Sequence, residues 1–153
     1  MPAQNFSVPD PDYILRIQDS FNRQGFMRHI GARIAELGPG TCTLIVDFSD
    51  HLVQQHGFFH GGVVGALCDN AGPYAAFTLI EAEQSMLTVE YKVNLVAPAS
   101  GHKLKAAGEV VRFGRTLTVC QVLATAVTSS GAEQLCALAT VTMMTLTSRG
   151  DGT

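Results

Sequence analysis

The sequence is poor in charge, lacks tryptophan and contains no run of basic residues. Only 15% of its 153 residues are charged, and the formal net charge is -3. A nucleic-acid-binding surface needs clustered lysine and arginine, so that class is not expected. No stretch reaches the roughly 18 consecutive apolar residues of a membrane-spanning helix. The N-terminus also lacks the basic start and apolar core of a secretory signal. We therefore expect a cytoplasmic protein that contacts neither nucleic acid nor membrane.

Several catalytic and metal-binding patterns are also missing. The four cysteines lie in apolar segments without a Cys-x-x-Cys pair, which is typical of reduced core residues. His56 and His60 have no evident third ligand, so a zinc site is not expected. Cys68 points about 100° away from the neighbouring Asp69, toward the apolar side of its helix, which argues against a cysteine nucleophile. Neither a phosphate-binding GxxxxGK loop nor a GxSxG serine motif occurs.

The length and the apolar content suit one domain that hides further surface in an oligomer. Hydrophobic residues make up 46% of the chain, and 153 residues can bury a single core. We predict a loose tail over residues 1–9, a single domain over 10–147 and a frayed end over 148–153.

The pattern of apolar residues predicts an α+β domain. Asp10 can cap a first helix that begins at Pro11 and ends before Gly25. Alternating segments separated by short turns predict five or six antiparallel strands, over residues 30–37, 41–48, 83–96, 103–112, 116–128 and 134–146. Between the second and third of them, residues 60–80 form one long helix around which the sheet is expected to curl.

The two sides of this long helix differ in character. One side is an apolar stripe suited to burial, formed by Val63, Val64, Leu67, Ala71, Tyr74 and Ala75. The other side places a single acid among residues with almost no side chain, which are Gly62, Gly65, Ala66, Asp69, Gly72, Pro73 and Ala76. Glycine inside a helix costs roughly 0.5 to 1 kcal/mol relative to alanine. We therefore expect a ligand or a second helix to approach this side closely. Pro73 is expected to kink the helix near Asp69.

The start of the helix predicts an anion site. Glycines at its beginning leave free N–H groups at a helix N-terminus, which attracts an anion or a carbonyl oxygen that becomes one. Gly61 and Asp69 are separated by about 12 Å of helix at ~1.5 Å per residue. One small reacting group cannot touch both within one chain. If they act together, Asp69 must meet Gly61 of a second copy across a two-fold axis.

A resemblance to a known family rests on these residues. The sequence HGG at residues 60–62 with an acid nine residues after His60, together with VNLVAPASG at 93–101 and VVRFGRTLT at 110–118, resembles the hotdog-fold acyl-CoA thioesterases of the PaaI-like (phenylacetate-degradation) branch. The likeness covers residues 31–146. It implies a sheet wrapped around a central helix, and a homodimer or a dimer of dimers.

The resemblance also implies catalytic roles. Asp69 matches the catalytic carboxylate, as nucleophile or as general base toward water. The Gly61 N–H matches the oxyanion donor, His60 the residue that orients neighbouring groups, and Gln54 or Gln55 the amide that contacts the substrate carbonyl.

Further residues are candidates for the attacking water and for the substrate. Thr88 matches a Ser or Thr that holds the attacking water, although alternation along its strand places it on the polar face with Glu90, Lys92 and Asn94. Gly62 is expected to contact the substrate, and Phe59 is expected to shape the acyl pocket, although it could equally be core or interface. Arg112 and Arg115 flank a turn where relatives bind pantetheine or coenzyme A phosphates.

The expected function is hydrolysis of an aryl, short-chain or medium-chain acyl-CoA to free acid and coenzyme A. No metal or cofactor is required, because coenzyme A is part of the substrate. Three alternatives remain open at this stage: a non-catalytic acyl-CoA binding or sensing protein, a hydratase or dehydratase, and a structural dimer without ligand.

Overall fold

The computed structural model describes residues 5–146, and one helix and one sheet dominate it. Two short helices come first, α1 (Tyr13–Arg23) and α2 (Gly25–Ile30). Strands β1 (Arg33–Gly38) and β2 (Thr41–Asp47) follow, then a 3-10 turn at Asp50–Leu52 and the long helix α3 (Gly61–Phe77). The described part of the chain ends in four longer strands, β3 (Ser85–Leu95), β4 (Lys103–Arg112), β5 (Leu117–Val127) and β6 (Glu133–Leu146).

All six strands form one antiparallel sheet in the order β1-β2-β4-β5-β6-β3. Helix α3 contacts five of the strands, β2 to β6. This is the hotdog arrangement, so the predicted α+β class and the prediction of five or six strands around one helix are confirmed. Strands β1 and β3 are the two edges of the sheet. Among the described residues, no helix is long and apolar enough to cross a lipid bilayer.

The helix packs closely on the sheet because both surfaces have small residues where they meet. Ala71 is fully buried, and a Cβ atom at Gly108 of β4 would lie 2.4 Å from its carbonyl oxygen. A Cβ at Gly72 would lie 3.2 Å from Cys120 Cβ. Gly72 therefore faces the sheet, and its placement on the open side of α3 was wrong. Its role is close packing of helix on sheet.

The N-terminal region differs from the expectation. Helix α1 begins at Tyr13, two residues later than predicted. The Asp10 carboxylate accepts a hydrogen bond from the Asp12 N–H at 2.9 Å, as a capping side chain does, and also pairs with Arg16 at 2.6 Å. The first strand begins at Arg33, since residues 25–30 form the unexpected helix α2. Gly31 ends α2 with a φ of 72°, a backbone conformation that glycine adopts without strain.

The predicted terminal segments lie partly outside the described residues, which leave out 1–4 and 147–153. Within the expected loose tail, Phe6 packs against the core, and a Cβ at Gly40 would lie 2.6 Å from its ring. The packed part of the domain therefore begins before Asp10. Helix α3 runs through Pro73 to Phe77 as one element.

Candidate active site

Asp69 lies in the middle of α3 and opens into a cavity of about 250 Å³ between α1, α3 and the sheet. The side chain is half-buried, and Oδ1 is buried without a hydrogen-bond partner among residues 5–146. Burial raises the pKa of the Asp69 carboxyl, because the charged form loses water. Pro73, one helical turn later, has no N–H to donate to the Asp69 carbonyl.

Thr88 lines the same cavity from β3. Its pairing partner on β6 is Met143, whereas Glu90 pairs with the adjacent Thr142. Val89 is thus an extra residue, a β-bulge that shifts the alternation of side chains. The expectation that Thr88 shares a face with Glu90 was therefore wrong, because the bulge turns Thr88 toward α3.

The Thr88 hydroxyl has two acceptors within reach. In this structure it donates to Met143 Sδ at 3.5 Å, and sulfur is a weak acceptor. Its interaction with the Asp69 carboxyl lowers the pKa of that group and partly offsets the effect of burial. Since a hydroxyl carries one proton, donation to Asp69 would replace the weak bond to sulfur. A hydroxyl beside a carboxylate can also hold a water molecule against it.

Gly61 is the first residue of α3, at the opposite end of the helix from Phe77. Its N–H has no acceptor among residues 5–146, and it lines a second cavity of about 350 Å³. Gln54 lines that cavity too. The Gln54 side-chain oxygen accepts a hydrogen bond from the His56 N–H, which directs the amide and leaves its NH₂ group as the donating end. Two donors thus border one cavity at a helix N-terminus.

His60 precedes the helix and caps it. Its Nδ1 accepts a hydrogen bond from the Gly62 N–H at 2.8 Å. That bond satisfies one of the free donors of the first turn. The Gly62 N–H is therefore already used, so a direct contact of this group with substrate is not supported. Gly61 is left as the free donor of the pair.

The remaining predicted residues lie around the second cavity or away from it. Phe59 is buried, packs edge-on against Phe48 and lines the Gly61 cavity. Gln55 is exposed and lines neither the Asp69 cavity nor the Gly61 cavity. Of the two amides, Gln54 is thus the one placed beside Gly61. Arg112 and Arg115 are both exposed at the connection from β4 to β5.

The arginine connection lies at the same end of the sheet as Asp69. Arg112 lies in a row of paired residues that crosses β5 and β6 and ends at Glu90 of β3. The start of β5, which follows Arg115, pairs with Met143 of β6, and Met143 pairs in turn with Thr88 of β3. The connection that carries the two arginines is therefore at the end of the sheet that holds Thr88, and not at the end that holds Leu95 of the Gly61 cavity.

Helix α1 adds residues that the sequence did not single out. Ser20 and Gln24 lie one helical turn apart and line the Asp69 cavity. Gln24 Nε2 donates to Tyr74 Oη at 2.7 Å, and Ser20 Oγ lies 3.2 Å from the same oxygen. Their four-residue spacing was visible in the sequence. Nothing local indicated that α1 would pack beside α3.

Comparison with a solved structure decides the family. A solved thioesterase family protein from Silicibacter pomeroyi is 46% identical to this chain, which covers 98% of it, and the two structures superpose over 88% of this chain with a TM-score of 0.85. The chain belongs to the thioesterase superfamily. The sequence profile of that superfamily matches residues 56–131, which include both ends of α3.

Two more distant proteins are also similar to this chain. The Escherichia coli PaaI protein from the phenylacetic acid degradation operon has a TM-score of 0.78 at 15% identity, over 92% of this chain and 97% of that one. The 1,4-dihydroxy-2-naphthoyl-CoA hydrolase of Listeria monocytogenes is 24% identical over 98 residues, which are 64% of this chain and 80% of that protein. The resemblance to hotdog thioesterases is thus confirmed.

Proposed function

We propose that this thioesterase superfamily member hydrolyses an acyl-CoA thioester to a free acid and coenzyme A, at a site shared by two chains. The observation that carries the proposal is Asp69, whose buried Oδ1 has no hydrogen-bond partner among residues 5–146. An unsatisfied buried carboxylate costs stability, and such a group at the wall of a cavity points to a chemical role. The Listeria relative is named as a hydrolase of a CoA thioester, which supports the same reaction.

Asp69 can act in either of two ways. As a nucleophile it attacks the thioester carbonyl, expels the coenzyme A thiolate and forms an anhydride that water then hydrolyses. As a general base it takes a proton from a water molecule, held by Thr88, that attacks the carbonyl directly. In both cases negative charge develops on the carbonyl oxygen. The free Gly61 N–H and the Gln54 amide are suited to stabilise that charge.

The two groups need a second chain, because they open into different cavities of one chain. Strand β3 lines both, through Leu87 at the Asp69 cavity and Leu95 at the Gly61 cavity. It is an edge strand that pairs only with β6. It also exposes four large apolar side chains, each between 48% and 61% exposed, which are Leu87, Val89, Tyr91 and Leu95.

Such an edge favours self-association. An exposed apolar edge strand is a template for pairing with another chain. Antiparallel pairing of two β3 strands about a two-fold axis would place the start of each strand beside the end of the other. Asp69 of one chain would then lie beside Gly61 of the other, and each dimer would hold two equivalent sites. Further association into a dimer of dimers is compatible with this arrangement, as is binding of coenzyme A phosphates by Arg112 and Arg115.

The test is thiol release from a panel of short-chain, medium-chain and aryl acyl-CoA substrates. Asp69→Asn keeps the shape of the side chain and removes its charge, so kcat should fall by about 10²- to 10⁴-fold. Asp19→Asn, an exposed aspartate of α1 paired with Arg23, is the matched control and should keep full activity. Thiol release by Asp69→Asn at the wild-type rate would contradict the proposal. Binding of acyl-CoA without hydrolysis by the wild type would instead favour a binding or sensing protein.

The same variant should not be less stable. Because the pKa of Asp69 is raised in the folded chain, its carboxylate opposes folding once the pH exceeds its unfolded pKa. Stability from this group is present at low pH and is lost as the pH rises through the folded pKa. At neutral pH, Asp69→Asn is therefore expected to have a Tm equal to or above that of the wild type. A sharply lower Tm would show that Asp69 has a structural role.

A further inference from the structure

Strand β3 carries two opposite charges, one on each side of Tyr91. Glu90 and Lys92 are exposed, and alternation places both on the same face of the sheet. Glu90 accepts a hydrogen bond from the Thr142 hydroxyl at 2.8 Å, and Lys92 donates to the Asn94 side-chain oxygen at 3.0 Å. Within the described part of the chain, neither forms an ion pair. Both charges can therefore meet another chain that pairs along this edge.

Tyr91 is also the midpoint between the two parts of β3 that line the cavities. Leu87 lines the cavity that contains Asp69. Leu95 lines the cavity that contains Gly61. Antiparallel pairing that brings Leu87 of one chain opposite Leu95 of the other places the two-fold axis at Tyr91.

The long helix α3 has its own midpoint at the same place. Gly65 lies halfway along the chain between Gly61 and Asp69. If Asp69 of one chain meets Gly61 of another, the axis passes Gly65. A Cβ atom at Gly65 would lie 3.9 Å from Tyr91 Cε2. The midpoint of the helix is therefore in contact with the midpoint of the strand, as a single axis through both requires.

The two charges favour this register over its neighbours. With Tyr91 at the axis, Glu90 of each chain lies opposite Lys92 of the other. Opposite charges directly across two strands attract, and like charges repel. An axis moved by one residue would place Glu90 opposite its own copy, or Lys92 opposite its own copy. Either move shifts the partner by two residues, about 7 Å at ~3.4 Å per residue, and would separate Asp69 from Gly61 of the other chain.

On this basis, which rests on the shared site of the proposed function, we propose that Glu90 and Lys92 are positioning residues. They set the register in which the β3 strands of two copies of this chain pair. That register brings Asp69 of one chain to Gly61 of the other. The ring of Tyr91 lies beside its own copy at the axis.

Charge reversal tests the pairing. Glu90→Lys alone and Lys92→Glu alone each place like charges opposite one another in both pairs of the dimer. The dissociation constant of the dimer, measured by analytical ultracentrifugation, should therefore rise about tenfold or more. An equimolar mixture of the two variants forms a heterodimer in which both pairs attract, and its dissociation constant should return to within about threefold of the wild-type value. Unchanged dissociation constants in both variants, or a mixture no tighter than its components, would overturn the inference.

The matched control reverses an exposed charge away from this edge. Glu109 lies on β4, inside the sheet, so Glu109→Lys should dimerise as the wild type does. This variant has the same net charge as Glu90→Lys. Mixed with Lys92→Glu, it supplies no new opposite pair at the axis, so heterodimers should not gain over the separate variants. Equal tightening in this mixture would reveal a general effect of net charge and overturn the inference.

A disulfide at the axis provides a second measurement. Opposite residues of an antiparallel pair have Cα atoms about 4.5 to 5.5 Å apart, a separation that a disulfide can bridge. The four native cysteines are buried, so Tyr91→Cys should give a covalent dimer under mild oxidation, seen on a non-reducing gel. Val93→Cys should not, because four residues of strand separate that position from the one opposite its own copy. Absence of the covalent dimer in Tyr91→Cys, or equal amounts in both variants, would overturn the inference.

Failure of the proposed reaction would give a different result. Sedimentation and crosslinking need no substrate, so they report the register even if the wild type releases thiol from no acyl-CoA. If the reaction occurs, thiol release by Glu90→Lys below its dissociation constant should fall with the fraction of dimer and return in the mixture with Lys92→Glu. A loss that persists although heterodimers form would mean that the register does not position the site, and would overturn the inference.

Discussion

The first turn of α3 and the middle of the same helix differ in the chemistry that they present, although both face cavities beside β3. In the middle, Asp69 offers a half-buried carboxylate with an unpaired oxygen and a raised pKa. The first turn offers the Gly61 N–H at a helix N-terminus. Asp69 can supply the attacking group, and the first turn can stabilise the charge that the attack creates. In the proposed reaction, neither place is a complete hydrolytic site alone.

The helix itself explains part of this difference. The free N–H groups of its first turn carry the positive end of the helix dipole, an effect that fades within one turn. Asp69 is eight residues beyond Gly61 and therefore lies outside this field. Its carboxylate is not stabilised by the helix terminus of its own chain, which agrees with its raised pKa. The terminus of a second chain would be free to act on the substrate oxygen.

The largest effect after loss of Asp69 is expected from Gly61→Pro. Proline lacks the N–H, tolerates the first helical position and follows residues with extended backbone, and His60 has φ -62° and ψ 138°. Removing one oxyanion donor should lower kcat by about 10²- to 10³-fold, measured as thiol release at saturating acyl-CoA.

Gly61→Ala is the matched control, because it keeps the N–H. Its Cβ would lie 3.1 Å from the flexible end of Leu95, which needs to move only slightly. Most of the activity should remain. Equal losses in the proline and alanine variants would mean that space at this position matters, and the N–H does not.

A smaller effect is expected from Thr88→Val in the Asp69 cavity. Thr88 lowers the pKa of Asp69, so its removal should raise that pKa further. Because Asp69 acts as the carboxylate in the proposed reaction, the acid limb of the activity profile should move to higher pH, and activity at neutral pH should fall about tenfold or less. Thr140→Val, an exposed threonine of β6, should leave the profile in place. An unshifted acid limb in Thr88→Val would mean that the Thr88 hydroxyl does not affect the pKa of Asp69.

The smallest effect concerns the cap of α3. His60→Ala removes the acceptor of the Gly62 N–H and should cost about 1 kcal/mol of stability. For a chain of this size, that lowers the Tm by roughly 2–4 °C, measured by thermal unfolding. His51→Ala, an exposed histidine of the preceding turn, should leave the Tm unchanged. A loss of activity in His60→Ala without a change in Tm would assign His60 to the chemistry rather than to the helix.

Most of the fold could be predicted from local sequence patterns. Strand β4 was predicted with its observed ends, and β5 and β6 within one residue, because alternation and turn residues are encoded in neighbouring positions. The small residues around Asp69 likewise indicated an approach to the helix. Gly72, however, faces the sheet and allows the helix to pack closely against it. The sequence alone could not show this, because it depends on how the helix packs.

Features set by distant contacts were not predictable in this way. The bulge that turns Thr88 toward Asp69 depends on the register between β3 and β6. The bond from Gln24 to Tyr74 joins residues 50 positions apart. Helix α2 is too short to produce a recognisable period. Each of these depends on tertiary structure and not on a local motif.

The shared site is tested most directly by mixing two inactive variants. Asp69→Asn and Gly61→Pro are each expected to lose both sites of a homodimer. After unfolding and refolding together at equal concentration, half of the dimers should be mixed, and each mixed dimer should carry one intact site, which restores about a quarter of wild-type activity. Thiol release at about that level would support a site built from Asp69 of one chain and Gly61 of the other. If the mixture is no more active than the two variants alone, although both fold and exchange subunits, the site lies within one chain and the account is wrong.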